Sequence, residues 1–113
     1  MEDAPRQGDE SRIVEAMVAA QEKAVGVLES VLGRHASRFS ILITVEYDEG
    51  GPKNLVFDVE AYRSRVNRRK LEEVIEAAIQ AAVEVFEEKT GVRVGKKVRR
   101  RGKATFKRFN RDS

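Results

Sequence analysis

The chain has 113 residues, 41% of them hydrophobic and 36% charged, with 22 Lys plus Arg against 19 Asp plus Glu and a net charge of +3. That length makes one small domain with a modest core and little room for a deep catalytic cavity. No run approaches the roughly 18 apolar residues of a membrane span, and the lack of cysteine excludes disulfides, thiolate metal sites and a cysteine nucleophile.

The modest net charge hides an asymmetry. Residues 92–113 hold ten basic residues and one acid, for a net +9, which leaves 12 basic and 18 acidic residues and a net −6 in the rest of the chain. The protein therefore reads as an acidic body with a basic tail. Abundant Glu, Lys, Arg and Val without cysteine also matches the compositional bias of hyperthermophile proteins.

Residues 1–10 (MEDAPRQGDE) lack apolar periodicity and predict a disordered lead-in. Met1–Gly8 is polar, without the order of a secretory signal, so the expected setting is cytoplasmic. Helical spacing begins at Ile13 and continues through Met17, Ala20, Ala24, Leu28 and Val31, with Asp9 or Ser11 as a start cap and Gly33 as the stop. A first helix over about 11–32 follows. From Phe39 the period falls to two: Phe39, Ile41, Ile43, Val45 and Tyr47 alternate with Ser40, Leu42, Thr44, Glu46 and Asp48.

Turn chemistry occupies residues 49–54, and alternation resumes with Leu55, Phe57, Val59 and Ala61, which predicts an antiparallel hairpin with one apolar face. A second helix is expected from an Asn67 cap through Leu71, Val74, Ile75, Ala78, Ile79, Ala82, Val85 and Phe86 to Thr90-Gly91. The fold class is thus α+β in helix-strand-strand-helix order, with an α+β domain over 11–91 and a flexible basic tail over 92–113. Like charges at that density repel, which favours a flexible tail over a weak hairpin turning at Arg101-Gly102. A lone hairpin with one covered face leaves two open strand edges and exposes Leu42 and Val56. The expected remedy is edge pairing with a second copy or a paralogue into a four-stranded sheet; a monomer with charge-blunted edges is the alternative.

Two basic clusters are candidates for nucleic-acid contact. The tail brings Lys96, Lys97, Arg99, Arg100, Arg101, Lys103, Lys107 and Arg108, with Phe106 and Phe109 interleaved for stacking on unpaired bases. RNA is the expected partner, and a solvated or partner-docking tail is the alternative. The second cluster, Arg63, Arg65, Arg68, Arg69 and Lys70, crosses into the start of the second helix. There, cations oppose the helix dipole unless an anion binds or Glu72 and Glu73 neutralise them. Glu46, Asp58 and Glu60 share one sheet face without implying a pocket, and a lone His35 has no partner with which to build a site. No P-loop, GxGxxG or nucleophile elbow is present, so no catalytic residue, cofactor or metal site is expected.

The alternating ILITVEYDE and NLVFDVEAY, followed by LEEVIEAAIQAAVEVFEEK, resemble a small archaeal helix-strand-strand-helix family encoded near prefoldin beta and translation genes. The same segment looks like the small dimerisation subunit of the KEOPS tRNA-modifying complex with its first strand missing. Where that family has an Arg-Ala and Asn-Ser helix motif, this chain has Arg68-Arg69-Lys70. The resemblance implies a non-enzymatic accessory or adaptor protein in archaeal translation or tRNA maturation, or a protein–protein subunit without nucleic-acid contact.

Overall fold

A computed structural model of the chain describes residues 3–34, 39–61 and 67–102, and within them the side chains of 10–34, 39–60 and 67–100. The chain runs α1 (Asp3–Leu32), β1 (Phe39–Asp48), β2 (Gly51–Ala61), α2 (Arg68–Thr90) and β3 (Gly95–Gly102). The three strands form one sheet in the order β1-β2-β3. β1 and β2 are antiparallel, with Phe39 opposite Ala61 and Val45 opposite Leu55. β3 lies parallel to β2, Gly95 opposite Asn54 and Gly102 opposite Ala61. A parallel neighbour needs a long crossover, and α2 is that crossover.

The period-two pattern sorts the strands as the sequence predicts. Phe39, Ile41 and Ile43 of β1 and Leu55, Phe57 and Val59 of β2 are buried against the helices. On the other face Leu42 is 58% exposed. Val56, on that same face, is nonetheless only 3% exposed. α1 packs chiefly on α2 and also touches β1. Ala16, Ala20 and Ala24 of α1 and Ala78 and Ala82 of α2 are all fully buried in the shared core. Small side chains at four-residue spacing form shallow ridges, which lets two helix backbones approach closely. Among the described residues no helix is long and apolar enough to cross a membrane.

The ends of the elements follow local chemistry. The Asn67 side chain accepts hydrogen bonds from the backbone N–H of Arg69 at 2.8 Å and of Lys70 at 3.3 Å, and so caps α2 as expected. Gly91 closes the helix in the left-handed region at φ 73°, its N–H donating to the Glu87 carbonyl at 2.7 Å. α1, by contrast, begins at Asp3 rather than near Ser11. Pro5 falls in its first turn, where an N–H would have no intrahelical acceptor, so the proline does not oppose the extension. β2 also begins earlier than the turn residues suggest. A register shift between Glu46 and Tyr47 sets Tyr47 opposite Pro52, and the Asp48 carboxylate accepts from the Gly50 N–H at 2.8 Å.

Two expectations are corrected here. Residues 95–102, assigned by charge density to a flexible tail, form β3. Self-repulsion loses because the strand's cations meet carboxylates of the body, and because the turn leading into it is tied down. The Val92 N–H donates to the Thr90 hydroxyl at 3.1 Å, and the Val94 N–H to the Glu87 carboxylate at 3.0 Å. Val94 packs against the core, and a Cβ at Gly95 would collide with the Asn54 carboxamide. The second correction concerns the open edges that motivated pairing with another copy. β3 covers the outer edge of β2, leaving the hairpin only one outward edge, that of β1. On that edge the Gln21 carboxamide donates to the Ile41 carbonyl and accepts from the Ile43 N–H at 3.2 Å. One side chain from α1 thus stands where a neighbouring strand would. Residues 103–113 and His35 lie outside the described residues.

Candidate nucleic-acid interface

Parallel pairing of β2 and β3 puts their C-terminal ends, Ala61 and Gly102, side by side. α2 starts at the same end, because Arg100 late on β3 pairs with Glu72 in the first turns of the helix at 2.5 Å. Arg68, Arg69 and Lys70 therefore sit beside the exit of β3. Two basic clusters about thirty residues apart in sequence meet at one end of the molecule. Arg63 and Arg65 connect β2 to α2 and lie outside the described residues, as do Lys103, Phe106, Lys107, Arg108 and Phe109.

The two clusters differ in what they touch. On β3 the side chains alternate between faces of the sheet. On the helix face Lys96 reaches Glu76 at 3.9 Å and Arg100 reaches Glu72. On the open face Lys97 reaches Glu46 at 3.1 Å and Arg99 reaches Asp58 at 3.2 Å. In register Lys97 stands opposite Val56, so a cation that reaches Glu46 on β1 must cross the row containing Val56, which accounts for the burial of that valine on an otherwise open face. Arg101 follows on the strand, its backbone opposite Glu60. The carboxylates Glu46 and Asp58, which in sequence suggested no more than a solvated acidic face, are the partners of the basic strand.

Arg68, Arg69 and Lys70 are exposed, and no carboxylate among the described residues lies within ion-pair distance of them. Asn67, Arg68, Arg69, Glu72 and Glu73 line a shallow open groove at this end. The first N–H groups of α2 do not all face that groove unsatisfied, because the Asn67 oxygen already takes those of Arg69 and Lys70. An anion held here would be gripped by side chains more than by the helix terminus.

One titrating group is displaced. The Glu46 carboxyl is held below its ordinary value, first by the hydrogen bond from the Asn54 amide at 3.0 Å and then by the Lys97 ammonium. Among the described residues no group of three or more His, Asp or Glu side chains comes together to hold a metal ion. Two features of this end were absent from the sequence account: Glu72 as the partner of Arg100, and Glu76 as the partner of Lys96. The sequence carries no periodic signal for them, because five of the six residues from Lys96 to Arg101 are cations and both faces of the strand look alike. Comparison with known proteins finds no family model that matches the chain, and no curated protein that matches it.

Proposed function

We propose that the protein is a non-enzymatic, RNA-associated accessory module that holds phosphates at its basic end. The observation that carries this function is the exposure of Arg68, Arg69 and Lys70, without carboxylate partners among the described residues, beside the exit of the basic strand. Clustered cations without internal partners release counterions when they meet phosphates, a gain that needs no particular base sequence. The setting in archaeal translation or tRNA maturation rests on the family resemblance alone.

The test is charge reversal. Arg68→Glu with Arg69→Glu should weaken binding to a labelled oligo(U) RNA and reduce the salt dependence by about 0.7 log units per lost contact on a single strand. The same change sets carboxylates in the first turn of α2, where the dipole favours them by roughly 0.3–1 kcal/mol each, so thermal stability should hold or rise. Unchanged affinity and salt slope in the variant would remove the proposal.

A second function has its own observation. Val14 and Val18, one turn apart on α1, are 59% and 52% exposed, and a valine pair on a solvent face suits a subunit that docks a partner protein without touching nucleic acid. Val14→Ser with Val18→Ser should then reduce protein capture from native extract while leaving RNA retention intact.

A further inference from the structure

Arg100 occupies an unusual position among the cations of the basic end. It projects from β3 toward α2, and its guanidinium is held by the Glu72 carboxylate. Glu72 in turn lines the same groove as Arg68 and Arg69. One anionic group already lies where the arginines of two elements converge, and it belongs to the protein. Both members of the pair are about half exposed, their side chains at 43% and 48%. An exposed ion pair contributes little net stability, so it can be exchanged for another anion, as a buried pair could not without leaving a desolvated charge.

We infer that Glu72 acts as an internal competitor for phosphate, keeping Arg100 in reserve until an RNA phosphate enters the groove and displaces the carboxylate. This inference rests on the phosphate-binding function proposed above and extends the site from α2 onto β3. Displacement gives the site two properties. The contact with Arg100 adds to the salt dependence only when Glu72 lets go, and an anion too weakly held by Arg68 and Arg69 to displace the carboxylate does not gain it. Free carboxylates nearby repel phosphate without taking a cation out of use, so they are the natural control. Glu73 lines the same groove and makes no ion pair among the described residues.

The experiment compares Glu72→Gln with Glu73→Gln in the full chain, with labelled oligo(U) RNA titrated between about 50 and 200 mM salt. Both substitutions remove one negative charge from one groove. If Glu72 holds Arg100 in reserve, Glu72→Gln should tighten binding roughly two- to fivefold more than Glu73→Gln does. Its salt slope should steepen by about 0.7, against no change for Glu73→Gln. Adding Arg100→Gln to Glu72→Gln should return both quantities to the parent values, with far-UV circular dichroism confirming the fold of each variant. Equal behaviour of the two glutamine variants, in a parent that binds RNA, would overturn the competitor role and leave the binding function standing. Absence of RNA binding in the parent and in every variant would overturn both.

Discussion

The two edge strands of the sheet are fastened in opposite ways. At β1 a neutral carboxamide from α1, Gln21, meets the backbone of Ile41 and Ile43, and the strand's inward side chains are Phe39, Ile41 and Ile43. At β3 the strand presents Lys96, Lys97, Arg99 and Arg100, each paired with a carboxylate from β1, β2 or α2. The first edge is held by apolar burial and sheltered hydrogen bonds, which are insensitive to salt and pH. The second is held by a ladder to β2 and by ion pairs which, apart from Arg99 on the largely buried Asp58, are exposed, worth about 0–1 kcal/mol apiece and screened by salt. The chain thus has a permanent edge and a conditional one, and the conditional edge carries the cations.

The largest effect expected from this contrast lies in the strand both edges share. Phe57 of β2 is fully buried, whereas Val98, opposite it on β3, is partly exposed. Phe57→Ala should cost about 3–5 kcal/mol through lost transfer energy and the cavity left behind. Val98→Ala should cost about 1 kcal/mol, since over a third of its surface stays in water in the folded chain. Urea unfolding of the two variants measures both. A Val98 cost near that of Phe57 would mean that β3 is as much a part of the core as β1.

How far the sequence could reach follows the same division. Periodicity made the helices and the hairpin legible because burial repeats locally: Ile41 and Ile43 on one face, Val74, Ile75, Ala78 and Ile79 on one side of a helix, and Asn67 and Gly91 at its ends. β3 escaped because its ordering depends on partners remote in sequence. The charge count saw Lys97 and Arg99 as neighbours of other cations, while in space they neighbour Glu46 and Asp58, some fifty and forty residues away. The same limit governed the candidate site. The exposed cluster from Arg68 to Lys70 is contiguous and could be read directly, but the role of Glu72 needed the crossover that brings α2 over β3. Gln21 escaped for a third reason: an isolated polar residue on an apolar helix face carries no periodic signal that it meets a strand's backbone.

Gln21 gives the intermediate effect. Replacing it with leucine keeps the volume and removes both hydrogen bonds, leaving a backbone carbonyl and N–H unsatisfied at a half-buried site, which costs about 1–3 kcal/mol. The freed edge is then a template for another strand. Gln21→Leu should lower thermal stability and also increase self-association, as read by sedimentation at several protein concentrations. Stability loss without increased association would show that Gln21 only fastens α1 to the sheet. Gln21→Glu serves as a second variant, because it retains the acceptor for the Ile43 N–H and loses the donor to the Ile41 carbonyl.

The smallest effect is the one that most cleanly separates the edges, because it uses a proton. Glu46 links β1 to β3 through Lys97 and is held below its ordinary value of 4.5 by the Asn54 amide first and the Lys97 ammonium second. A carboxyl whose folded value is depressed adds stability at every pH above its unfolded value, and that contribution fades as pH falls through the folded value. The loss therefore begins near pH 4.5 and continues below it. Gln21, which has no titrating group, closes the other edge equally well throughout. Hydrogen exchange across this range should show the amides of β3 losing protection relative to those of β1 as Glu46 takes up its proton. In Glu46→Gln the glutamine can still accept from Asn54 but never charges, so β3 should start with the lower protection at neutral pH and lose less on acidification. If parent and variant lose protection in β3 by the same amount across that range, the Glu46 to Lys97 pair does not fasten the conditional edge, and the backbone ladder to β2 holds it alone.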